Sequence, residues 1–321
     1  MEITGIAAYL VSFLTFAGIY AVLALGLNMQ WGFTGQFNIG IAGFFAVGAY
    51  TSAILTTPGS PAYVGGFGAP FLVGLIGAIV TSALIGWLIG LITARLRTDY
   101  LAIATIGIAE IIRLVLKNEE WLTNGVRGIP AIPRPLADTP LDTPITYLVI
   151  VVLFVVAVYF LVERAYMSPW GRVLRAIREN EPASAASGKN VARFRLQAFT
   201  VGSAIMGLGG GLYVHFFGFV SPEAFRPLYG TFLVWVMLIA GGSGNNRGAL
   251  LGAVIVWGLW SGTEMLTGLL PSGYSTQAAA LRVLLIGALL QVILVTRPEG
   301  LLPEKAPRLI ARREKAGNEQ E

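Results

Sequence analysis

The stretch Pro144-Ile145-Thr146-Tyr147-Leu148-Val149-Ile150-Val151-Val152-Leu153-Phe154-Val155-Val156-Ala157-Val158-Tyr159-Phe160-Leu161-Val162 contains no charged residue and ends abruptly at Glu163-Arg164. As a helix rising 1.5 Å per residue it extends about 28 Å, close to the ~30 Å hydrocarbon thickness of a bilayer. It has no polar face to present to water, so it reads as a membrane span. Outward from it, eight more apolar runs bounded by charge or turn residues lie at about 6–28, 36–56, 70–93, 99–117, 194–217, 229–243, 248–268 and 279–296. Only Gly241-Gly242-Ser243-Gly244-Asn245-Asn246-Arg247 separates the seventh run from the eighth, which leaves a broken or re-entrant element open there. Met1-Glu2-Ile3-Thr4 lacks the basic start of a cleaved leader, so the first run is read as a retained helix.

Composition agrees. Of 321 residues, 55% are apolar and 12% charged, with a mean hydropathy of +0.71. A soluble chain carries about twice that charge density, so a water-soluble enzyme is excluded. The expected fold is an all-α integral membrane protein, a polytopic helical bundle of about nine transmembrane helices over residues 1–297, with a charged tail at 298–321. No cysteine and a single histidine, His215, leave no thiol nucleophile, disulfide or histidine-cluster metal site. The net charge of +5 sits in loops between apolar runs, where topology rather than nucleic acid accounts for it.

Lysine and arginine are retained on the cytoplasmic side. Nine spans with the C-terminus inside place the basic residues of 163–193 and 297–315 in the cytoplasm and the N-terminus outside. Arg113, Lys117, Arg127, Arg134, Arg226 and Arg282 are then external or within the membrane. An external loop at about 118–143 and a cytoplasmic loop at about 163–193 follow.

The cytoplasmic loop carries the clearest pattern. Trp170, Val173, Leu174 and Ile177 recur at helical spacing while Arg172, Arg175 and Arg178 take the other face. Ser168 suits the N-cap, Pro169 the first helical position, and Glu181-Pro182 stops the helix. A second short helix at Ser184–Ser187 would close on Gly188 in the left-handed conformation. This order reads as a docking device for a partner, or as a basic helix lying on anionic lipid headgroups.

An ionisable group at the centre of a membrane helix costs about 2.5–3.5 kcal/mol, so each needs a reason. Glu110 and Arg113 are three apart and form a structural pair before they form a substrate contact. Glu264 faces a translocation path or lies near the external surface, and His215, near the external end of its run, makes an interfacial hydrogen bond. Gly207 with Gly211, Gly86 with Gly90, Gly248 with Gly252 and Gly258 with Gly262 have the spacing that lets membrane helices approach closely. Asn28, Gln36 and Asn38 interrupt two apolar runs without charge, first as a plain cytoplasmic turn and second as a path-lining element. No Walker A sequence is present: Ser187-Gly188-Lys189-Asn190 lacks its upstream glycine and its Ser or Thr, so the chain holds no nucleotide site of that kind.

Gly26-Leu27-Asn28 followed by Trp31-Gly32-Phe33-Thr34-Gly35-Gln36-Phe37-Asn38-Ile39-Gly40-Ile41-Ala42-Gly43-Phe44-Phe45-Ala46-Val47-Gly48-Ala49-Tyr50 closely resembles the early signature of branched-chain amino-acid ABC importer permeases. Three more resemblances follow in order: Asp99-Tyr100-Leu101-Ala102-Ile103-Ala104-Thr105 leading to Glu110-Ile111-Ile112-Arg113, the loop motif Thr123-Asn124-Gly125-Val126-Arg127-Gly128-Ile129-Pro130, and Trp170 through Glu181 continuing to Gly188. They span about residues 18–300, and the external loop and coupling sequence resemble the LivM-type rather than the LivH-type subunit.

The resemblance implies a second, similar permease, two ATP-binding-cassette ATPases docking from the cytoplasm and hydrolysing the ATP, and an external protein delivering the amino acid. The chain itself then needs no cofactor or metal and performs no catalysis. Residues 168–190 become the coupling helix, with Trp170, Val173, Leu174, Arg175, Ile177, Arg178, Glu181 and Gly188 carrying the contact. Gly43 and Ile41 depart from the family's common Ala and His, and relatives of this architecture carry urea or short amides. The other class is an ion-coupled secondary transporter in which Glu110 or Glu264 titrates.

Overall fold

The computed structural model describes residues 3–60, 63–93, 96, 98–136, 139–267 and 275–304. Among the described residues the chain is helical, and extended pairing is limited to two isolated bridges, Pro58 with Phe67 and Ile129 with Val220. The helices are α1 (Ile3–Leu27), α2 (Ile41–Thr56), α3 (Phe71–Thr93), α4 (Thr98–Asn118), α5 (Glu120–Thr123), α6 (Pro144–Met167), α7 (Pro169–Glu179), α8 (Glu181–Ala186), α9 (Val191–Phe217), α10 (Leu233–Gly241), α11 (Asn246–Thr267) and α12 (Ser275–Thr296). Wider π-helical turns extend α1 through Asn28–Gly32 and precede α10 at Leu228–Phe232.

Each apolar run of the sequence is helical in most of its length, with two departures. The run expected from residue 36 becomes helical only at Ile41, because residues 35–40 form an irregular turn, with Gly35 at φ +68° and Asn38 N bonded to the Gln36 carbonyl at 3.0 Å. That leaves α2 with 16 residues, about 24 Å of helix. The run at 229–243 yields only the short helix Leu228–Gly241, a π-turn followed by the 9-residue α10, which breaks at Gly242 with φ +116°. Four segments are long and apolar enough to cross a membrane: Gly5–Gly32, Phe71–Thr93, Pro144–Met167 and Val191–Phe217.

Two of these four are central and two peripheral. The most apolar windows of the first and last are 61% and 67% buried, against 28% and 22% for α3 and α6. α3 accordingly turns Leu72, Ile76, Val80 and Leu84 outward, and α6 turns out Ile145, Val149, Leu153 and Phe160, an apolar surface suited to lipid.

Lipid is as apolar as leucine, so close van der Waals packing holds the central helices together. α9 lies against α2 and α3 along a stripe of small residues. A Cβ on Gly48 would overlap the Gly207 backbone, and one on Gly207 would overlap Ser82. The Gly86, Gly90, Gly211, Gly248 and Gly252 positions are similarly closed. Within this chain Gly258 and Gly262 are not in close contact: Gly262 has nothing within 4 Å of a Cβ, and Gly258 meets only the Phe13 ring at 3.6 Å. The spacing is not sufficient for close approach, nor is it necessary: a Cβ on Gly26, which has no small residue four positions away, would meet the Gly202 carbonyl at 2.8 Å.

At the α9 C-terminal end, the loop after α5 folds back onto the segment following α9. Ile129 and Val220 exchange backbone bonds of 2.9 and 3.0 Å, and Ile132 N donates to the Gly218 carbonyl at 3.0 Å. His215 is wholly buried: Nδ1 donates to the Pro133 carbonyl at 2.7 Å, which makes Nε2 of the neutral ring the acceptor for the Ser52 hydroxyl at 2.9 Å. It joins the loop to α2 inside the protein instead of meeting an interface.

Gly48→Ala is expected to destabilise the bundle by about 1–3 kcal/mol, the usual penalty for overpacking, read as a lower unfolding temperature in mild detergent. Gly262→Ala should stay within about 0.5 kcal/mol of the parent.

Candidate functional site

The amide-rich stretch after α1 is where irregular backbone meets the interior. Asn28, Gln30, Thr34, Gln36 and Asn38 are all buried. The plain cytoplasmic turn expected for them is therefore corrected: the π-turn and the irregular residues 35–40 leave backbone groups without regular helical partners, and buried amides complete the bonding. Asn28 Nδ2 donates to Asn246 Oδ1 at 2.8 Å, and Asn28 Oδ1 accepts from Gly244 N at 2.8 Å. Asn246 Nδ2 donates in turn to Glu163 Oε2 at 2.7 Å. One residue pair thus joins the end of α1 to the α10–α11 break and to α6.

A second set of bonds lies beside it. Gln30 Nε2 donates to the Phe199 carbonyl at 2.9 Å and to Ser203 Oγ at 3.2 Å, and Gln30 Oε1 accepts from Asn38 Nδ2 at 2.7 Å. Asn38 Oδ1 accepts from Gly40 N at 2.7 Å, its carbonyl accepts from Trp235 Nε1 at 2.9 Å, and Gln36 Oε1 accepts from the Thr34 hydroxyl at 3.2 Å. Gln30 was not singled out by the sequence, although it lies two residues from Asn28 in the same uncharged interruption.

The α7–α8 segment forms as expected at its start: Ser168 Oγ accepts from Gly171 N at 3.2 Å with Pro169 at the first position. The second helix begins at Glu181 rather than Ser184. Asn180 Oδ1 caps it by accepting from Ala183 N at 3.0 Å, so Glu181-Pro182 ends one helix and opens the next. Gly188 has φ +81° and open space around it, so the left-handed turn, not crowding, asks for glycine.

The apolar face of α7 is turned onto the chain itself. Leu174 and Ile177 are buried, Trp170 and Val173 half-buried, and Trp170 Nε1 donates to Gln197 Oε1 of α9 at 2.8 Å. Arg175 lies over the Tyr166 ring, 3.9 Å from its centroid, and donates to the Tyr166 carbonyl at 3.0 Å. Glu181 forms a two-bond ion pair with Arg195 at 3.1 and 2.8 Å, fixing α8 to α9. Arg172, Pro182, Ala183, Ala185, Ala186 and Lys189 are left exposed.

Arg178 joins this segment to the amide hub. Its Nη1 donates to the Gly32 carbonyl, and its Nη2 donates to Glu304 Oε2 at 2.6 Å. Glu304 Oε1 accepts from the Tyr166 hydroxyl at 3.0 Å. Residues 298–304, which the sequence assigns to a solvated tail, are a strap: Leu301 N donates to the Ala240 carbonyl and Leu302 N to the Gly241 carbonyl, both at 2.9 Å. Asn245 Nδ2 donates to the Leu302 and Pro303 carbonyls at 3.2 and 3.1 Å. Residues 305–321 of the expected tail lie outside the described residues.

Glu110 and Arg113 pair as expected, through two bonds of 2.5 and 3.0 Å. They belong to a larger cluster, since Glu223 faces Arg113 at 3.7 Å and Lys117 at 3.9 Å and bonds Arg226. Glu264 pairs with Arg282 at 3.4 Å. Among the described residues no group of three acidic or histidine side chains is placed to hold a metal ion.

A family model described as the branched-chain amino acid transport system permease component matches residues 9–294. The high-affinity branched-chain amino acid transport system permease protein LivM of Salmonella typhimurium is 34% identical over 95% of this chain and 73% of its own length. The probable LivM of Methanocaldococcus jannaschii is 30% identical over 90% of this chain and 91% of its own. The LivH permease of Salmonella typhimurium is 26% identical over 75% and 80%. No solved structure matches. The chain belongs to the branched-chain amino acid permease family.

Gln30→Leu removes the donor to Phe199 and the acceptor of Asn38, and each unpaired buried group costs about 1–3 kcal/mol. The variant is expected to unfold at a clearly lower temperature in detergent while Lys189→Ala, on the exposed rim, unfolds with the parent.

Proposed function

We propose that this chain is the LivM-type membrane subunit of an ATP-driven importer of branched-chain amino acids. It would pair with a second permease of the LivH type, receive its solute from an external binding protein, and dock two separate ATPase subunits that hydrolyse the ATP. On this reading the chain is not an enzyme and needs no cofactor or metal of its own. It crosses a bacterial-type inner membrane about nine times, with the short α2 and α10 completed by the flanking non-helical stretches, the N-terminus outside and the C-terminus in the cytoplasm. The names of the relatives supply the substrate class; urea and short amides are the competing cargo.

The Arg178 junction carries this reading. A loop that receives force must be attached to what it moves, and α7–α8 is attached at four places: to α9 by Trp170–Gln197 and Glu181–Arg195, to α6 by Arg175–Tyr166, to the end of α1 by Arg178–Gly32, and to the strap by Arg178–Glu304. The buried apolar residues of α7 act as the anchor. The exposed rim of Arg172, Pro182, Ala183, Ala185 and Ala186 is the surface offered to an ATPase. An ATPase moving that rim would shift the end of α1 and the α10 break together. An ion-coupled carrier has no use for such an attachment, and its two candidate titrating groups, Glu110 and Glu264, are each held by an arginine.

The test is uptake into vesicles carrying the chain with its co-purifying partners. Leucine uptake is expected to require ATP and to ignore proton and sodium gradients; gradient-driven uptake by the chain alone would overturn the reading. Glu304→Gln weakens a charge-assisted bond on the scale of about 1.5–3 kcal/mol, so uptake should fall while ATP hydrolysis persists, uncoupling the two. Equal loss of both activities would instead mark a structural defect.

A further inference from the structure

A groove of about 380 Å³ opens on the flank of the bundle between α4, the irregular stretch after the π-turn, and the start of α10. Phe37, Ile106, Leu228, Phe232 and Trp235 form its wall, which is hydrocarbon almost throughout. Its floor is rigid. The Phe37 and Trp235 rings meet edge-on at 4.8 Å, Trp31 meets Trp235 at 5.4 Å, and the one polar atom of Trp235 is spent on the Asn38 carbonyl. On the α4 side, Ile39 N donates to Thr105 Oγ1 at 3.0 Å, fixing the helix against the irregular stretch.

Charge of both signs lies at one end of this apolar wall. Ile106, Glu110 and Arg113 follow at helical spacing on one face of α4. Arg226 immediately precedes the wall residues Pro227 and Leu228 and is bonded to Glu223, which also faces Arg113. The Glu110 side chain is 42% exposed and that of Arg226 61%, so each keeps bonding capacity beyond its ion pair. An apolar slot with an adjacent carboxylate and guanidinium complements an aliphatic α-amino acid: hydrocarbon for the side chain, an acceptor for the ammonium and a donor for the carboxylate. A phospholipid offers a phosphate and an ammonium to the same charges, so a lipid probe is needed to tell the two occupants apart.

We propose that this groove is the wall along which a branched aliphatic amino acid passes, its side chain against Ile106, Leu228, Phe232 and Trp235, its carboxylate toward Arg226 and its ammonium toward Glu110. The assignment rests on the importer reading and adds to it the residues that meet the cargo. The Glu110–Arg113 pair then has a second task besides satisfying itself. Specificity comes from the depth of the apolar slot, and the ion cluster reads only the part common to all amino acids.

The experiment uses the whole transporter in vesicles with a diazirine analogue of leucine as photoprobe. Labelling within 98–118 or 222–239, suppressed by excess leucine, is expected. Ile106→Trp fills the groove from its exposed side without entering the core, and leucine uptake should fall about tenfold, the scale set by a misfit of one or two methylenes, while alanine uptake changes far less. Labelling confined to other segments, equal loss of leucine and alanine uptake, or labelling of the groove by a diazirine phospholipid but not by the leucine probe would overturn the assignment. A parent transporter that takes up no aliphatic amino acid would overturn the importer reading and the groove with it, and is distinguished by being seen before any substitution is made.

Discussion

Inside a bilayer no water is at hand to bond an exposed peptide group, so any break in a helix must be repaired by the protein itself. This chain breaks its helices at residues 35–40 and at 242–245, and two neighbouring sets of buried amides repair them. Asn28 reaches Gly244 and Asn246, while Gln30 reaches Asn38 and α9. Once those breaks are held, α2 can start late, α10 can be short, and the backbone between them can pass close to α4. The flank groove, with its fixed Trp235 ring, is a consequence of the same repair.

Arg178 extends that hub to the surface. By donating to Gly32 and Glu304 together it holds α7 to the end of α1 and to the strap that runs along the α10 break. Small residues do the corresponding work deeper in the bundle, where α9 approaches α2 and α3 closely enough to exclude any side chain at Gly48 or Gly207. The result is a central unit of α1, α2, α9 and α10 with the α7–α8 segment fixed to it, flanked by α3 and α6, whose outer faces are largely leucine, isoleucine and valine.

Much of this is legible in the sequence because a membrane helix is a one-dimensional signal. The runs at 70–93 and 99–117 coincide closely with α3 and α4, and Ser168-Pro169 starts α7 where capping chemistry places it. What sequence does not reveal is long-range partnership. The amides Gln36 and Asn38 mark an interruption without showing that the helix waits until Ile41, and nothing near Asn28 points to Asn246, 218 positions away. Amphipathic spacing in α7 says that one face is buried without saying that the chain's own helices bury it. Glu304 hides in a stretch whose composition reads as tail, and Gly258 with Gly262 has the spacing of a close contact without a close neighbour within this chain.

The most direct measurement is the distance between spin labels on Ala186→Cys, at the exposed rim of α8, and Arg247→Cys, at the start of α11 beside the break, in the assembled transporter with and without trapped ATP. The chain has no native cysteine to interfere. If the rim, the hub and the break move as one body, the distance distribution stays the same in both states while distances from either label to a docked ATPase change. A rim label that separates from Arg247 when ATP binds would contradict a rigid attachment and with it the coupling role of Arg178.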